Sequence, residues 1–327
     1  MISTHRRHCI IALATLACAL LLPINAGAQD YPNRPVRVIV PFLAGGPADV
    51  ATRIVAEGLR ELWGQAVVID NRPGAGGNLG SDIVAKAAPD GYTLGLASNT
   101  TSANVSLYKT LPFDTLKSFA YINVNYRDAN ILVVNPSLPV NSVAELIALA
   151  KSKPGELTYS SSGNGTSTHL SGALFNSMAG LKITHVPYRG VPPAIAAVLS
   201  GEVTMMFASS GIVGPQVKSG RLKALGVTSA TRLKNFPEIP TIAEAALPGF
   251  ESTTWTGFMA PAGTPPELVE KISRDVAKVL DTPNVRTSLE NHGFEIVRST
   301  PQQTTELIKY EIGKWGDLIR ASGATVD

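Results

Sequence analysis

The sequence predicts an α/β protein whose two domains face each other across one cleft. Three observations predict it. Short apolar strands alternate with helical segments along most of the chain, which is the pattern of mostly parallel sheets covered by helices. The 327 residues exceed one ordinary compact core and suit two domains. The strand-to-helix turns are short and rich in Gly, Ser, Thr and Asn, and in such sheets ligands sit at those turns, beyond the carboxyl ends of the strands.

The first strand is VRVIV at 36–40. The turn FLAGGPAD follows at 42–49. Gly46 can cap a helix, Pro47 suits the first helical position, and Asp49 suits the positive helix start. Val50, Ile54, Leu59 and Leu62 then recur at near-helical spacing. QAVVID at 65–70 is a second strand, 71–77 a glycine-rich turn, and 79–88 a helix ending before Pro89. A third strand at 92–97 runs into SNTTS, 98–102, and another helical piece.

The second half repeats the scheme. ELTYS at 156–160 is a strand, 161–168 a small polar loop, and 169–178 a helix with Leu170, Leu174 and Met178 on one face. A strand at 183–186 leads through Pro187-Tyr188-Arg189-Gly190 to a helix from about Pro192 to Leu199, closed by Gly201. Strands at 203–207 and 222–228 follow, the first ending in Ala208-Ser209-Ser210-Gly211. The chain is expected to cross between domains near 130–135 and 250–256. That gives one lobe of 29–130 plus 251–327 and a second of 131–250.

The first 28 residues read differently. A basic start (His5, Arg6, Arg7, His8) precedes a small, apolar run over 9–22, Pro23 breaks it, and Ala26-Gly27-Ala28 offers a small-x-small cleavage pattern. This is the layout of a secretory signal peptide cut after Ala28. The run is shorter than the ~18–20 residues a spanning helix needs. Cys9 and Cys18 both lie in the leader, so the mature chain is expected to hold no disulfide. An exported chain of that kind points to a bacterial periplasm. Losing Arg6 and Arg7 from 28 basic residues, with 25 acids untouched, leaves about +1. No Lys/Arg cluster remains to follow a nucleic-acid backbone. With 44% hydrophobic and 16% charged residues, the chain should fold around large cores.

Several motifs invite chemistry and fall short of it. GAGGNLG at 74–80 follows a strand and opens a helix, but its spacing is G-x-G-x-x-x-G and the usual acidic partner is missing. A tight turn explains it better. Ser106-Leu-Tyr-Lys109 matches S-x-x-K without its companion motifs, and no G-x-S-x-G exists. The mature chain's His169, His185 and His292 form no metal-ligand spacing. His185, in an apolar strand, reads as a core residue; His169 stays open between ligand contact and helix-start packing. The loop SSSGNGTSTH at 160–169 is dense in hydroxyls, amides and bare backbone before a helix, and that favours ligand contact. Tyr188-Arg189 could add an aromatic face and one cation.

The stretches YPNRPVRVIVPFLAGGPAD, DNRPGAGGNLGSDIVAKAAPDGYTL, SSGNGTSTHLSGALF, HVPYRG, RLKALGVTS and WTGFMAPAGTP occur in that order. Together they make the chain resemble the periplasmic solute-binding proteins of tripartite tricarboxylate transporters, the TctC-like or Bug family. The resemblance implies a two-lobed periplasmic-binding-protein fold, type II-like, closing on a small organic acid and handing it to transporter membrane subunits. It implies a monomer with no catalysis, cofactor or metal. The family's ligands include dicarboxylic amino acids, citrate-like acids and aromatic acids. The expected contacts are Phe42, Ala44, Gly45, Gly46, Ala48 and Asp49 in the first loop, and Ser98, Asn99 and Thr100 in the third turn. In the second lobe they are Ser162, Gly163, Asn164, Thr166, Thr168 and His169, then Tyr188, Arg189, Gly190 and Ala208.

Two positions depart from the family's pattern. Relatives often carry a hydroxyl residue at Ala48 and an aspartate at Ala208. Both departures argue against amino acids and toward a less polar acid. A ligand-loaded partner of a signalling receptor is the alternative within the same fold. An exported α/β enzyme is the rival outside it, and it lacks a supported nucleophile, metal or cofactor.

Overall fold

The structure, a computed structural model, describes residues 31–322. The expected leader, with Cys9, Cys18 and the cleavage point after Ala28, lies outside the described residues. The compact unit that carries the fold begins at Arg34.

The elements run β1 (Val36–Val40), α1 (Pro47–Trp63), β2 (Val67–Asn71), α2 (Asn78–Ala85), β3 (Thr93–Ser98), α3 (Asn99–Leu107) and β4 (Phe119–Val134). Next come α4 (Val143–Ser152), β5 (Thr158–Ser161), α5 (Ser167–Ala179), β6 (Thr184–Pro187), α6 (Val191–Ser200), β7 (Met205–Ser209), α7 (Ser210–Lys218) and β8 (Lys223–Val227). The chain finishes with α8 (Ile242–Ala245), β9 (Thr253–Pro261), α9 (Pro266–Asp281), α10 (Pro283–Asn291), β10 (Glu295–Ile296) and α11 (Pro301–Ser322).

The strands lie in the order β2-β1-β3-β9-β4-β7-β5-β6, with β8 and β10 also pairing to β4. β1 is parallel to β2 and β3, and β5 is parallel to β6 and β7. The 16-residue β4 joins two sheets. Its stretch Phe119 to Ala129 pairs with β9, while Asn130 to Val134 pairs with β7 and β8. The chain returns beside it: Ser252 N–H donates to Thr228 O, and Thr228 N–H to Asn130 O, both at 2.9 Å.

Side-chain alternation sorts β4 and β7 onto two cores. Leu132, Val134, Met205 and Phe207 enter one cluster. Ile131, Val133, Met206 and Ala208 enter the other. Burying each larger side chain contributes about 1.5–3 kcal/mol. The first lobe packs Ile39, Val84, Tyr121, Trp255 and Met259. A smaller cluster of Ala103, Leu107, Leu170, Trp315 and Ile319 ties α3 and α11 to α5. Glu311 of α11 accepts from the indole N–H of Trp255 at 2.9 Å and of Trp315 at 3.2 Å. Burial raises its pKa, against those two hydrogen bonds.

α1 departs from the expected stripe. Ala51, Val55 and Leu59 are fully buried, while Leu62 is 45% exposed. The small residues explain the rotation. A Cβ at Gly58 would lie 2.5 Å from Val279 Cγ1, so the helix presses its glycine against α9. Among the described residues no helix is long and apolar enough to cross a membrane.

Candidate binding cleft

Six helices start at one cavity of about 660 Å³. The residues capping α1, α2, α3, α5, α6 and α7 are Gly46, Gly77, Ser98, Thr166, Gly190 and Ser209, and all of them line it. The first N–H groups of a helix lack intrahelical acceptors, and each helix start carries roughly half a positive charge. Converging starts therefore make a field for an anion with little formal charge. The volume lies within the about 300–1,000 Å³ of small-molecule sites.

Asp49 organises the first loop from behind. Its carboxylate accepts from Gly45 N–H at 2.9 Å, from Asn71 Nδ2 at 2.9 Å and from Arg53 Nε at 3.0 Å. Asn71 Nδ2 also donates to Phe42 O at 3.1 Å. Burial alone would raise the Asp49 pKa, but Arg53, the Gly45 N–H and Asn71 outweigh it and hold it below the usual carboxylate range. The loop is thus pinned at three points.

A neutral aromatic stack organises the second loop. His169 and His185 lie with ring centroids 4.1 Å apart, and Tyr159 stacks on His185 at 4.8 Å. Gly165 N–H donates to His169 Nδ1 at 3.1 Å, and Ser161 Oγ meets His185 Nε2 at 2.6 Å. Burial lowers the His169 pKa to about 4. Burial, and then the neighbouring His169, lowers that of His185 to about 3. Both rings are neutral at pH 7. Thr168 Oγ1 accepts from Ser162 N–H at 2.9 Å, and Thr166 Oγ1 donates to Gly163 O at 2.6 Å.

The floor comes from the crossing strands. Tyr126, Asp128 and Asn130 alternate along β4, and Thr254 and Thr256 along β9. Thr254 Oγ1 donates to Asn99 Oδ1 at 2.6 Å, which fixes the start of α3. The two lobes also touch at the mouth. A Cβ added at Gly190 would lie 2.6 Å from Leu43 Cδ1, and one at Gly76 would lie 2.9 Å from Asn164 O.

Comparison with known proteins identifies the scaffold. Residues 51–324 match the model of the "Tripartite tricarboxylate transporter family receptor". Protein BugT of Bordetella pertussis is 35% identical over 317 residues, covering 96% of this chain and 97% of its own. The chain belongs to this receptor family. Among solved structures, R. palustris Rpa4515 with adipate superposes with a TM-score of 0.86 at 37% identity, over 90% of the receptor and 100% of that chain. The periplasmic binding protein BugD gives 0.84 at 32% identity, over 90% of the receptor and 99% of its chain. The two-lobed periplasmic-binding-protein fold is therefore the receptor's fold.

The structure gathers many of the expected contacts. Phe42, Gly46, Ala48, Ser98, Asn99 and Thr100 line the receptor's cleft from one side. Ser162, Gly163, Asn164, Thr166, Thr168, Tyr188, Arg189 and Gly190 line it from the other.

Five expected contacts are not among the lining residues. Ala44 and Gly45 sit on the exposed outer side of their loop, and the Gly45 N–H is already given to Asp49. Asp49 is 3% exposed and turned toward Arg53 and Asn71. His169 is 6% exposed and its ring stacks on that of His185. Ala208 is fully buried in the core under β7, and it is its neighbour Ser209 that faces the cleft. An acid at 208 would point into that core, so Ala208 says nothing about a ligand amine.

Sequence reading missed Asp128, Asn130 and Ser209, and the GAGG turn as part of the wall. Asn123, Asn125, Asp128 and Asn130 interrupt a long strand that is otherwise mostly apolar, and those amides and that acid were the available signal for Asp128 and Asn130. Ser106 and Lys109 are not among the lining residues. Among the described residues no group of three His, Cys, Asp or Glu could hold a metal ion.

Proposed function

We propose that this receptor is exported to the periplasm, captures a small organic carboxylate by closing its lobes, and delivers it to a tripartite tricarboxylate-type membrane transporter. The convergence of helix starts carries the reading. The Ala48 N–H, at the second position of α1, and the first N–H groups of α5 are suited to opposite sides of one carboxylate. A bridging water would serve nearly as well as a direct bond. The relative solved with adipate supports an acid as the ligand class.

The lobes we take as 29–130 plus 251–327 and 131–250, acting as a monomer. The contact residues we take as the lining set of the two glycine-rich loops with Ser98 to Thr100 and Tyr188 to Gly190. Binding shifts the population from open to closed by no more than the ligand's differential affinity for the two forms. No step of this cycle needs a catalytic group.

A thermal-shift screen of organic acids beside their primary amides tests the reading, because a ligand raises apparent stability by mass action. At least one acid should raise the melting temperature while its amide does not. Equal shifts from acid and amide, or none from any acid, would defeat it.

A further inference from the structure

Asp128 is out of place in a cleft built to attract anions. It is 3% exposed, yet it lines the cavity. Its Oδ1 and the Ser209 Oγ beside it make no hydrogen bond of good geometry, although the Ser209 hydroxyl lies near enough to favour the ionised carboxyl weakly. Among the described residues, the only charged side chains lining the cleft are Asp128 and Arg189, and Arg189 is exposed.

The groups that face Asp128 are uncharged. They are the Tyr126 phenol and the Asn130 amide on its own strand, Ser209 on β7, and Thr254 and Thr256 on β9. Two of their donors are committed elsewhere: Asn130 Nδ2 gives to Ser171 Oγ at 3.2 Å and Thr254 Oγ1 to Asn99 Oδ1. Arg127, the next residue, is exposed on the opposite face of the strand. A buried acceptor left without a donor is unfavourable, and a ligand that brings the donor removes the deficit.

We infer that Asp128 is a specificity-determining residue of the cleft, accepting a hydrogen bond from an ammonium or hydroxyl group that the ligand carries in addition to its carboxylate. The inference rests on the carboxylate-receptor reading above. It reverses the preference for a less polar acid, since half of that preference came from Ala208. A second carboxylate placed here would meet a like charge and would need a proton between the two. Burial supports this, because it pushes the Asp128 carboxyl up to about 7, against smaller opposing effects of the Ser209 hydroxyl and the Ala129 N–H.

The test compares acids matched in carbon skeleton: succinate, malate and aspartate; glutarate, 2-hydroxyglutarate and glutamate; butyrate, 3-hydroxybutyrate and 4-aminobutyrate. Dissociation constants are measured by calorimetry at pH 8 for the wild type and for Asp128→Asn. Within the skeleton that binds best, a donor-bearing acid should bind about tenfold or more tightly than the donorless one. Asp128→Asn should erase the advantage of the ammonium acid.

A measurement on the wild type alone guards against a misfolded variant. Titrations at pH 7 in buffers of different ionisation enthalpy should show proton release with the ammonium acid and proton uptake with the dianion. A wild-type preference for the donorless acid, a ratio unchanged by Asp128→Asn in a folded variant, or no proton exchange would overturn the assignment of Asp128 and leave the receptor reading standing. If no acid in the panel binds, both fall.

Discussion

Replacing Asp128 by asparagine should change how stability depends on pH, with no ligand present. The ordinary aspartate value is 3.8 and the folded value is about 7. A raised carboxyl binds its proton more tightly in the folded state, so ionising it costs stability as pH rises from the first value to the second. Below both values the acid is protonated in both states and costs nothing. Above both, a gap of about three at 1.36 kcal/mol each gives about 4 kcal/mol. At pH 5 the cost is about 2 kcal/mol, because the folded acid is still protonated. Asparagine keeps the shape and does not titrate. Its stability relative to the wild type should therefore rise by about 2–3 kcal/mol between pH 5 and pH 8. Urea unfolding followed by tryptophan fluorescence at both pH values measures this, and subtraction cancels every other titrating group. A difference that is the same at pH 5 and pH 8 would show that Asp128 is not held in a charge-averse site, and the reasoning would fail.

Other perturbations read the rest of the cleft. Gly46 has φ −78° and no other residue's atom closer than 3.4 Å to an added Cβ, so Gly46→Val should fold normally; it should weaken acid binding about tenfold or more by calorimetry, at a cost under about 1 kcal/mol in unfolding. Asp49→Ala frees the Gly45 N–H, Arg53 and Asn71 together, and should cost about 2–4 kcal/mol in urea unfolding and weaken acid binding as the first loop loosens. The lowered His169 pKa of about 4 means stability is complete above 6.5 and is lost as pH falls toward 4. In the Asp128→Asn background, which removes the opposing carboxyl, His169 and its stacking partner His185 should together cost about 2–4 kcal/mol at pH 5 relative to pH 7; an unchanged unfolding midpoint would show that the stack tolerates charge.

The alternation of strands and helices was legible because each turn carries its own chemistry. Gly46-Pro47 starts α1 where both residue types predict a start, and Gly201 closes α6 in the left-handed conformation at φ 80°. The glycine-rich loops were legible as cleft walls for the same local reason. What local pattern could not give was direction. Ala208 and Ser209 are adjacent small residues, and only the pairing of Ile131 with Ala208 and Asn130 with Ser209 decides which one meets the cleft. The role of Asp49 was hidden because its partners Asn71 and Gly45 come from different turns. Asp128 was overlooked because the crossing was placed at its apolar end, near 130–135, whereas β4 begins at Phe119 and brings its polar alternation to the cleft before the crossing. GAGG was legible as a tight turn, but not as a cleft wall, because its bare backbone serves a close approach, with Gly76 at φ 59° against the Asn164 loop of the other lobe.

Converging helix starts are proposed to hold a carboxylate between the lobes. A crystal structure of the mature protein with the panel acid that binds most tightly tests this directly. The carboxylate, or a water bound to it, should lie within hydrogen-bond distance of the Ala48 N–H on one side and of the 166–168 helix start on the other. An acid bound outside the cleft, or inside it with its carboxylate turned away from both helix starts, would show that the helix starts do not hold the ligand.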